Sequence, residues 1–313
     1  MTLSLIGLQI VLPLLLIVGL AIVPPRNGLG FFIQAIVTAV TLVAIARLGI
    51  WMFPPWWTPY LYGLLFVVAV ALGRRRLKLA QPSSWLGWAA IVALVALGVA
   101  VGGAAWQGWM GRQPPPLPAA ELTFPLRGGE YLIVHGGSTM QINPHMKTLD
   151  ESVPRFRAYR GQSYGLDVVK IDRFGLRASG VIPKQLSAYR IYGEPVFAPC
   201  AGTVVRAVDG FPDMPIPQTD LENRAGNHAI LRCGEVEVLL AHFRPGSLAV
   251  QPGVTVQVGD RLAEVGNSGA SNEPHLHISA QRPGSSEMPL SGEPLPVRFA
   301  GQFLTRGKRV TAP

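Results

Sequence analysis

The chain has 313 residues, of which 49% are hydrophobic and only 14% are charged, and its formal net charge is +9. Soluble globular proteins carry about 25% charged residues, so the composition argues against a wholly soluble protein. No Asp or Glu precedes Glu121, whereas seven of the 27 Lys and Arg residues do; the rest of the chain, with 20 bases and all 18 acids, is nearly neutral. The excess positive charge therefore belongs to an apolar N-terminal part, which argues against a nucleic-acid-binding face.

Residues 1–111 are predicted to form four transmembrane helices. A helix needs about 20 apolar residues to cross the hydrocarbon core of a bilayer, and four apolar runs follow one another: Leu3–Val23, Gly30–Phe53, Trp56–Gly73 and Trp85–Trp106. Tryptophans cluster at the ends of these runs, as aromatic residues do at membrane interfaces. Arg47 lies near the end of the second run, where a long side chain can reach the interface.

The basic residues of the short loops predict how these helices are oriented. Arg26 lies between the first and second runs, and the third and fourth runs are separated by Arg74, Arg75, Arg76 and Lys78. The positive-inside rule puts both loops in the cytoplasm, so both termini face outward. A cleaved signal peptide is the alternative for residues 1–23, but a basic n-region and an A-x-A-like site are missing from that stretch.

The rest of the chain is predicted to be a β domain joined by a stiff linker. The linker covers residues 112–120 and contains three consecutive prolines, which favour an extended spacer. Beyond it, short β-rich runs alternate with Gly, Pro and Asn turns, a pattern typical of a mainly antiparallel sheet, barrel or sandwich. Residues 121–160 are interpreted as an extension that leads into the β domain proper, residues 161–313.

The two cysteines, Cys200 and Cys233, each end a predicted strand beside a turn that contains glycine. In an oxidising compartment they could form a disulfide that closes a separation of 33 residues. Two unpaired, buried thiols are the alternative. Neither a CxxC motif nor a Cys–His spacing accompanies them, so they are not predicted to bind a metal.

Two of the six histidines, His275 and His277, form an H-x-H motif on a predicted strand. Side chains at i and i+2 leave the same face of a strand, so both imidazoles are expected to enter one site while Leu276 packs on the other side. An H-x-H motif alone is a weak signal, but here it follows a Gly/Asn turn and accompanies the segments SYGLDV and LLAHFRPGS.

Between Gly161 and Gln281 the chain also contains GEPVFAPCAGTVV, GNHAIL, VQVGDRLAEVGNSG and PHLH in that order around LLAHFRPGS. This ordered set resembles the lysostaphin/LytM-type family of murein endopeptidases. The resemblance implies a duplicated-hybrid-motif-like β domain with a groove, one Zn²⁺ ion, and hydrolysis of peptide cross-links in bacterial peptidoglycan. Combined with the predicted helices, it implies a multi-pass protein of the bacterial inner (plasma) membrane whose C-terminal domain is periplasmic.

The resemblance also implies roles for individual residues. Asp167 and His277 correspond to zinc ligands, and His242 and His275 to the catalytic pair. The chemistry suits these residues, because zinc takes neutral imidazole and carboxylate ligands, acidifies water and polarises a carbonyl. One histidine can then accept the proton of the water, and the other can stabilise the oxyanion or protonate the leaving amine.

The chain departs from the family at Ser163, four residues before Asp167, where the family has a histidine ligand. On an extended strand these two residues share a face, so the serine is expected to point at the metal, for which it is a poor ligand. In one interpretation, His145 supplies the third ligand from an upstream polar segment. In the other, the domain is catalytically degenerate and binds cell wall or regulates a hydrolase partner. The retained catalytic histidines favour an active metalloendopeptidase.

Other polar residues receive weaker assignments. Arg244, Asn267 and Ser271 are predicted to line the groove and meet substrate carboxylates or amides, with solvated loop residues as the alternative. His135 and His228 are interpreted as structural residues at strand ends. The expected partners are a peptidoglycan peptide, the lipid bilayer and a membrane or cell-wall-synthesis protein, without nucleic acid.

The sequence gives little support to two further classes of function. A transporter or sensor would use its membrane helices, but these contain no acid, and Arg47 is their one ionisable group, so a proton or ion relay has little to work with. The segment VQVGDRLAEVGNSG resembles the hairpins of lipoyl carriers, but it has no lysine at a turn tip for modification.

Overall fold

The computed structural model of this protein describes residues 5–25, 27–77 and 84–313. The chain divides into two units, Met1–Trp109 and Met110–Pro313. Arg26 and Lys78, two of the basic loop residues that predict the orientation of the helices, lie outside the described residues.

The N-terminal unit is helical. A π-helical turn, Gly7–Val11, leads into α1, and the helices are α1 (Leu12–Ile22), α2 (Gly28–Leu48), α3 (Thr58–Gly73) and α4 (Trp85–Met110). Proline lies in the first turn of α1 and of α3, where its missing N–H costs no hydrogen bond. Asn27 caps α2, since its side chain accepts a hydrogen bond from the backbone of Gly30 at 2.6 Å.

Two of these helices are long and apolar enough to cross a bilayer. The first is α2, with 21 residues and a mean hydropathy of 2.3, and the second is α4, with 26 residues and a mean hydropathy of 2.2. The segment Gly7–Ile22 is apolar but shorter, and α3 has 16 residues. The described helices thus agree with the predicted helical N-terminal region, and length and composition support two membrane spans rather than the four predicted.

The C-terminal unit is built mainly from short strands. They are β1 (Ala120–Leu122), β2 (Gly129–His135), β3 (Leu166–Ile171), β4 (Pro195–Phe197), β5 (Gly202–Val208), β6 (Asn227–Cys233), β7 (Val236–Phe243), β8 (Thr255–Val256), β9 (Arg261–Glu264), β10 (Leu276–Gln281), β11 (Pro294–Leu295), β12 (Val297–Phe299), β13 (Gln302–Phe303) and β14 (Arg309–Ala312). One short α-helix, α5 (Pro154–Arg157), and 3-10 turns at Pro144–Leu149, Arg160–Gln162 and Leu186–Ala188 interrupt them.

Most strands join one large sheet with the order β14-β2-β3-β10-β7-β6-β5-β8, and β11 pairs with β10. Smaller sheets have the orders β1-β12-β13 and β4-β9. The β1–β12 pair is parallel and the other described pairs are antiparallel. This confirms the predicted mainly antiparallel β domain. Residues 121–160, interpreted as an extension, contribute β2, which pairs directly with β3 in the large sheet.

The two faces of the large sheet have different roles. On β10, Leu276, Ile278 and Ala280 belong to the main hydrophobic core. The intervening His277 is therefore on the opposite face, as expected from the period-two alternation of a strand. This opposite face carries polar side chains near the middle of the sheet, and it is where the candidate site lies. Elsewhere in the unit, a disulfide joins Cys200 and Cys233, whose Cα atoms are 6.1 Å apart.

Candidate metal and catalytic centre

A row of residues in register crosses four neighbouring strands. His135 on β2 is opposite Asp167 on β3, Asp167 is opposite His277 on β10, and His277 is opposite Ala241 on β7. Directly opposed residues of antiparallel strands have Cβ atoms about 4.5–5.5 Å apart on one face. The sheet therefore places one imidazole on each side of the Asp167 carboxylate, that of His135 and that of His277.

His145 reaches the same carboxylate from the 3-10 turn Pro144–Leu149. The turn is fixed by Asn143, which is fully buried. Its side-chain oxygen accepts a hydrogen bond from the backbone of His145 at 3.1 Å. Its amide donates to the carbonyls of Gly137 at 2.9 Å and Gly165 at 3.2 Å. One amide side chain thus ties the His145 turn to the chain just before β3.

Asp167 is the centre of the cluster. Its Oδ2 accepts hydrogen bonds from His135 Nδ1 at 2.8 Å and His145 Nε2 at 3.1 Å. Its Oδ1 accepts one from His277 Nδ1 at 2.8 Å and lies 3.6 Å from His275 Nε2. The ligand atoms of His135, His145 and Asp167 all lie within 4.8 Å of one another.

The donor set fits a divalent metal ion with nitrogen and oxygen ligands, as zinc prefers. His277 is 2% exposed, and its Nε2 is buried without a hydrogen-bond partner among the described residues. The nitrogen of His277 that is placed to share an ion with Asp167 is Nδ1, which faces the carboxylate. A Cβ atom at Gly165 would lie 2.6 Å from Cε1 of His277, so this glycine leaves the imidazole the room it occupies.

The electrostatics of the cluster keep the carboxylate charged and the deepest imidazoles neutral. Burial by itself raises the pKa of Asp167, but His145 and His275 outweigh burial and hold this pKa well below its ordinary value. Burial lowers the pKa of His277. Burial, together with His275 and His277, holds the pKa of His242 well below its usual range. Neutral imidazole and ionised carboxylate are the forms that bind metal.

His242 enters the site through an unusual backbone conformation. It follows Ala241 on β7, so regular alternation would place the two side chains on opposite faces of the sheet. Its φ of 69° breaks this alternation, and its ring centroid lies 6.0 Å from that of His277 and 4.7 Å from that of His275. Positive φ is uncommon for a residue other than glycine, and such strain concentrates at functional sites.

The two remaining imidazoles present the same nitrogen to the site. His242 Nδ1 donates to the carbonyl of Ser268 at 2.8 Å. His275 Nδ1 donates to the carbonyl of Glu273 at 2.9 Å and lies 3.1 Å from Ser271 Oγ. Because Nδ1 is the donor in both rings, Nε2 is the nitrogen that each ring has left for the site, and in a neutral imidazole this nitrogen has a lone pair that can accept a proton.

The backbone at position 242 gives a stability prediction. We expect His242→Gly to be more stable than His242→Ala by about 1–2 kcal/mol, because alanine is strained at positive φ and glycine is not. Both variants lose the same imidazole and its hydrogen bond, so the midpoint of urea unfolding reports the backbone alone. At the neighbouring Ala241 the order should reverse, with Ala241→Gly less stable than the parent. If His242→Ala were as stable as His242→Gly, the backbone at position 242 would not be strained.

The predicted geometry at Ser163 is wrong. Its φ of −57° and ψ of −36° are helical, because it ends the 3-10 turn Arg160–Gln162, and β3 begins only at Leu166. The side chain is fully buried. Its Oγ donates to the carbonyl of Arg160 at 2.7 Å and lies 2.8 Å from Oγ1 of Thr148. The hydroxyl of Ser163 is therefore engaged by Arg160 and by Thr148 of the His145 turn, and in the described part of the chain it forms no hydrogen bond with the clustered imidazoles.

The interpretation of His135 as a merely structural residue also needs correction, since it hydrogen-bonds Asp167. The sequence offered one usable signal, its position at the end of a strand before Gly136 and Gly137. The partner strand and its register could not be read from that position. His228, by contrast, stays outside the cluster, where its Nδ1 donates to the carbonyl of Gly226 at 2.7 Å.

The three residues predicted to line the groove have other environments. Asn267 and Ser271 are fully buried, and Ser271 Oγ lies 2.7 Å from Asn267 Oδ1. Both side chains are satisfied inside the protein, so direct contact with substrate does not fit them, and they support His275 instead. Arg244 is half exposed and donates to Glu264 at 2.9 Å.

Part of the C-terminal unit is similar to a known peptidase family. The sequence profile of Peptidase family M23 matches residues 187–289, a segment that contains His242, His275 and His277. No curated protein sequence matches the chain.

Similar solved structures include a zinc-containing peptidase from Vibrio cholerae, with 21% identity and a TM-score of 0.25, over 34% of this chain and 26% of that one. Lysostaphin is 22% identical, with a TM-score of 0.26, over 39% of this chain and 38% of that one. The catalytic domain of the prophage-encoded M23 protein EnpA from Enterococcus faecalis is 17% identical, with a TM-score of 0.26, over 38% of this chain and 68% of that one. The chain spans about a quarter of the Vibrio protein, with 26% of it covered. Its C-terminal unit contains a Peptidase family M23 domain at residues 187–289, which confirms the resemblance to lysostaphin/LytM-type peptidases.

Proposed function

We propose that this protein is a membrane-anchored, zinc-dependent endopeptidase that hydrolyses peptide cross-links of bacterial peptidoglycan. The observation that carries the proposal is the convergence of His135, His145, His275 and His277 on the buried carboxylate of Asp167. A module that only binds cell wall has no need for this many imidazoles around one carboxylate, because each buried polar group must be satisfied at a cost in desolvation.

Asp167, His277 and His145 would hold the zinc ion. His145 then replaces the histidine ligand that the family has at the position of Ser163. The turn that Asn143 fixes brings His145 to the site. When bound, zinc supplies a Lewis acid that lowers the pKa of a water molecule and polarises the scissile carbonyl. His135 contacts the same oxygen of Asp167 as His145 does and belongs to the same group of ligand atoms, so it would either orient the carboxylate or add a fourth ligand.

His242 and His275 would move the protons. Their rings lie 4.7 Å apart, and each has Nδ1 anchored on a backbone carbonyl. The unprotonated Nε2 of one ring accepts the proton of the attacking water. Once protonated, an imidazole can donate that proton to the leaving amine, which completes hydrolysis of the amide.

We further propose that the N-terminal unit anchors the protein in the bacterial inner membrane, with α2 and α4 as the spanning helices and the C-terminal unit in the periplasm. The disulfide between Cys200 and Cys233 supports this location, since disulfides persist in oxidising compartments. A cysteine introduced at Gln113 should react with a membrane-impermeant thiol reagent in intact spheroplasts; labelling only after lysis would contradict the orientation. A protein of the membrane or of cell-wall synthesis stays a predicted partner.

The test of the catalytic proposal uses the full-length protein in detergent. We expect one zinc per chain and release of uncross-linked peptides from muropeptide dimers, with hydrolysis lost on chelation and restored by zinc. His145→Ala should lose most of the zinc, because two protein ligands remain. His228→Ala removes a histidine outside the cluster and should keep the metal.

The other outcomes discriminate between the alternatives. Unchanged zinc content in His145→Ala would reject His145 as the third ligand. A parent protein that holds zinc and binds muropeptides without cleaving them would instead indicate the degenerate wall-binding or regulatory module.

A further inference from the structure

A cavity opens near the proposed catalytic centre, on the face of the large sheet that carries His228. It has a volume of about 280 Å³ and is bounded by the loop before β6, the end of β5, and residues 287–290. This is close to the lower limit of about 300 Å³ for small-molecule sites, enough for a small part of a peptide. Tyr159 and Leu290 line it and also pack with Ala241, the neighbour of His277.

The floor of the cavity carries a hydrogen-bond acceptor without a protein partner. His228 is 8% exposed, and its Nδ1 donates to the carbonyl of Gly226. Nε2 therefore keeps its lone pair, and it has no partner among the residues that the structure describes. Since His228 lines the cavity, this nitrogen is suited to accept a hydrogen bond from the N–H of a bound molecule.

Two guanidinium groups line the same cavity, those of Arg206 and Arg224. Neither forms a salt bridge within the described part of the chain, and Arg224 lies 5.8 Å above the ring of Tyr159. Guanidinium groups bind carboxylates through paired, charge-assisted hydrogen bonds.

Two acids, Glu222 and Glu287, also line the cavity. Both are exposed, as is Arg206, whereas His228 is buried and Arg224 is partly buried. The acids limit the total positive charge, so the cavity is poorly suited to a polyanion. A single carboxylate beside an N–H group, as in an amino-acid residue of a peptide, fits the combination of two guanidinium groups and one imidazole acceptor.

The cavity lies at a defined distance from the catalytic centre. His277 is opposite Ala241, and Ala241 is opposite His228, so His228 is two strands from the proposed zinc ligand. Neighbouring strands are about 4.8 Å apart, which gives about 10 Å between the two backbones. An extended peptide covers that distance in about three residues at about 3.3–3.6 Å each.

We propose that this cavity is a subsite that recognises a free carboxylate, and the N–H beside it, about three residues from the amide bond that is cleaved. The proposal rests on the peptidase function proposed above and adds a substrate class to it, namely wall peptides that are not amidated at that residue. Arg206 and Arg224 bind the carboxylate, and Nε2 of His228 accepts the hydrogen bond from the N–H group.

The test compares two forms of one substrate, native muropeptide dimers and the same dimers with their carboxylates converted to carboxamides. Full-length protein in detergent should show a kcat/KM about tenfold or more higher for the native form, as expected when charge-assisted hydrogen bonds are lost. The double variant Arg206→Gln, Arg224→Gln should lower kcat/KM for the native form to that of the amidated form, mainly through KM. Its zinc content and melting temperature should match those of the parent.

The control double variant, Arg173→Gln with Arg261→Gln, removes the same charge from exposed positions outside the cavity and should keep the preference. A preference that persists in the Arg206→Gln, Arg224→Gln protein, or a parent that cleaves both forms equally, would overturn the subsite while the peptidase function stands. Binding of the two forms is measured in parallel. If the parent cleaves neither form but binds the native one more tightly, and the double variant loses that difference, the subsite is supported and the peptidase function fails.

Discussion

Asp167→Asn is expected to abolish both zinc binding and peptide hydrolysis. The substitution keeps the size of the side chain but removes the negative charge and turns one acceptor oxygen into an N–H donor. Both oxygens of Asp167 accept hydrogen bonds from imidazoles in the structure, so the amide cannot satisfy all of them. Loss of the metal removes several kcal/mol of transition-state stabilisation, which corresponds to a fall in kcat/KM of about 10³-fold or more.

The matched control is Asp172→Asn, the same substitution just beyond the end of β3. Asp172 is away from the imidazoles and accepts backbone hydrogen bonds from Phe174 and Leu176, which an asparagine oxygen can also accept. Zinc per chain is measured by atomic emission after dialysis, and hydrolysis with muropeptide dimers. Full zinc occupancy in Asp167→Asn would show that the carboxylate is not a ligand, and the proposed centre would fail with it.

The parts of this centre that the sequence predicted are those that depend on local periodicity or on an ordered set of motifs. His275 and His277 are two residues apart, and the alternation of a strand is enough to put both on one face. The assignment of His242 came from the family motif. Periodicity alone would have sent its side chain to the opposite face from Ala241, because nothing in the sequence shows the positive φ that redirects it.

The parts that sequence reasoning missed depend on where an element begins or how two strands pair. Ser163 was expected on an extended strand, but the strand begins three residues later, and this shift turns the side chain into the protein interior. His135 joins the cluster only because β2 pairs with β3 in a register that puts it opposite Asp167. Register between strands separated by a long loop is a tertiary property, set by the whole packed sheet.

Breaking the buried ion pair between Arg177 and Glu273 is expected to destabilise the C-terminal unit strongly. The side chains are 4% and 11% exposed, and the guanidinium binds the carboxylate through two hydrogen bonds of 2.7 and 2.8 Å. Arg177→Met leaves the carboxylate buried without its partner, and removal of one partner from a buried pair costs about 3–5 kcal/mol. For a domain of this size that corresponds to a fall in melting temperature of roughly 6–20 °C.

The double variant Arg177→Met, Glu273→Met separates the ion pair from its surroundings. Replacing both charged groups by apolar side chains removes the uncompensated charge, so it should recover most of the lost stability. A single variant that melts within about 2 °C of the parent would contradict a buried, paired site. Activity gives an independent readout, since the carbonyl of Glu273 accepts the hydrogen bond from His275 Nδ1. If the ion pair also positions the loop that carries Glu273, His275 is no longer held in place in the double variant, and kcat should fall. The double variant should still keep its zinc, because none of the proposed ligands moves.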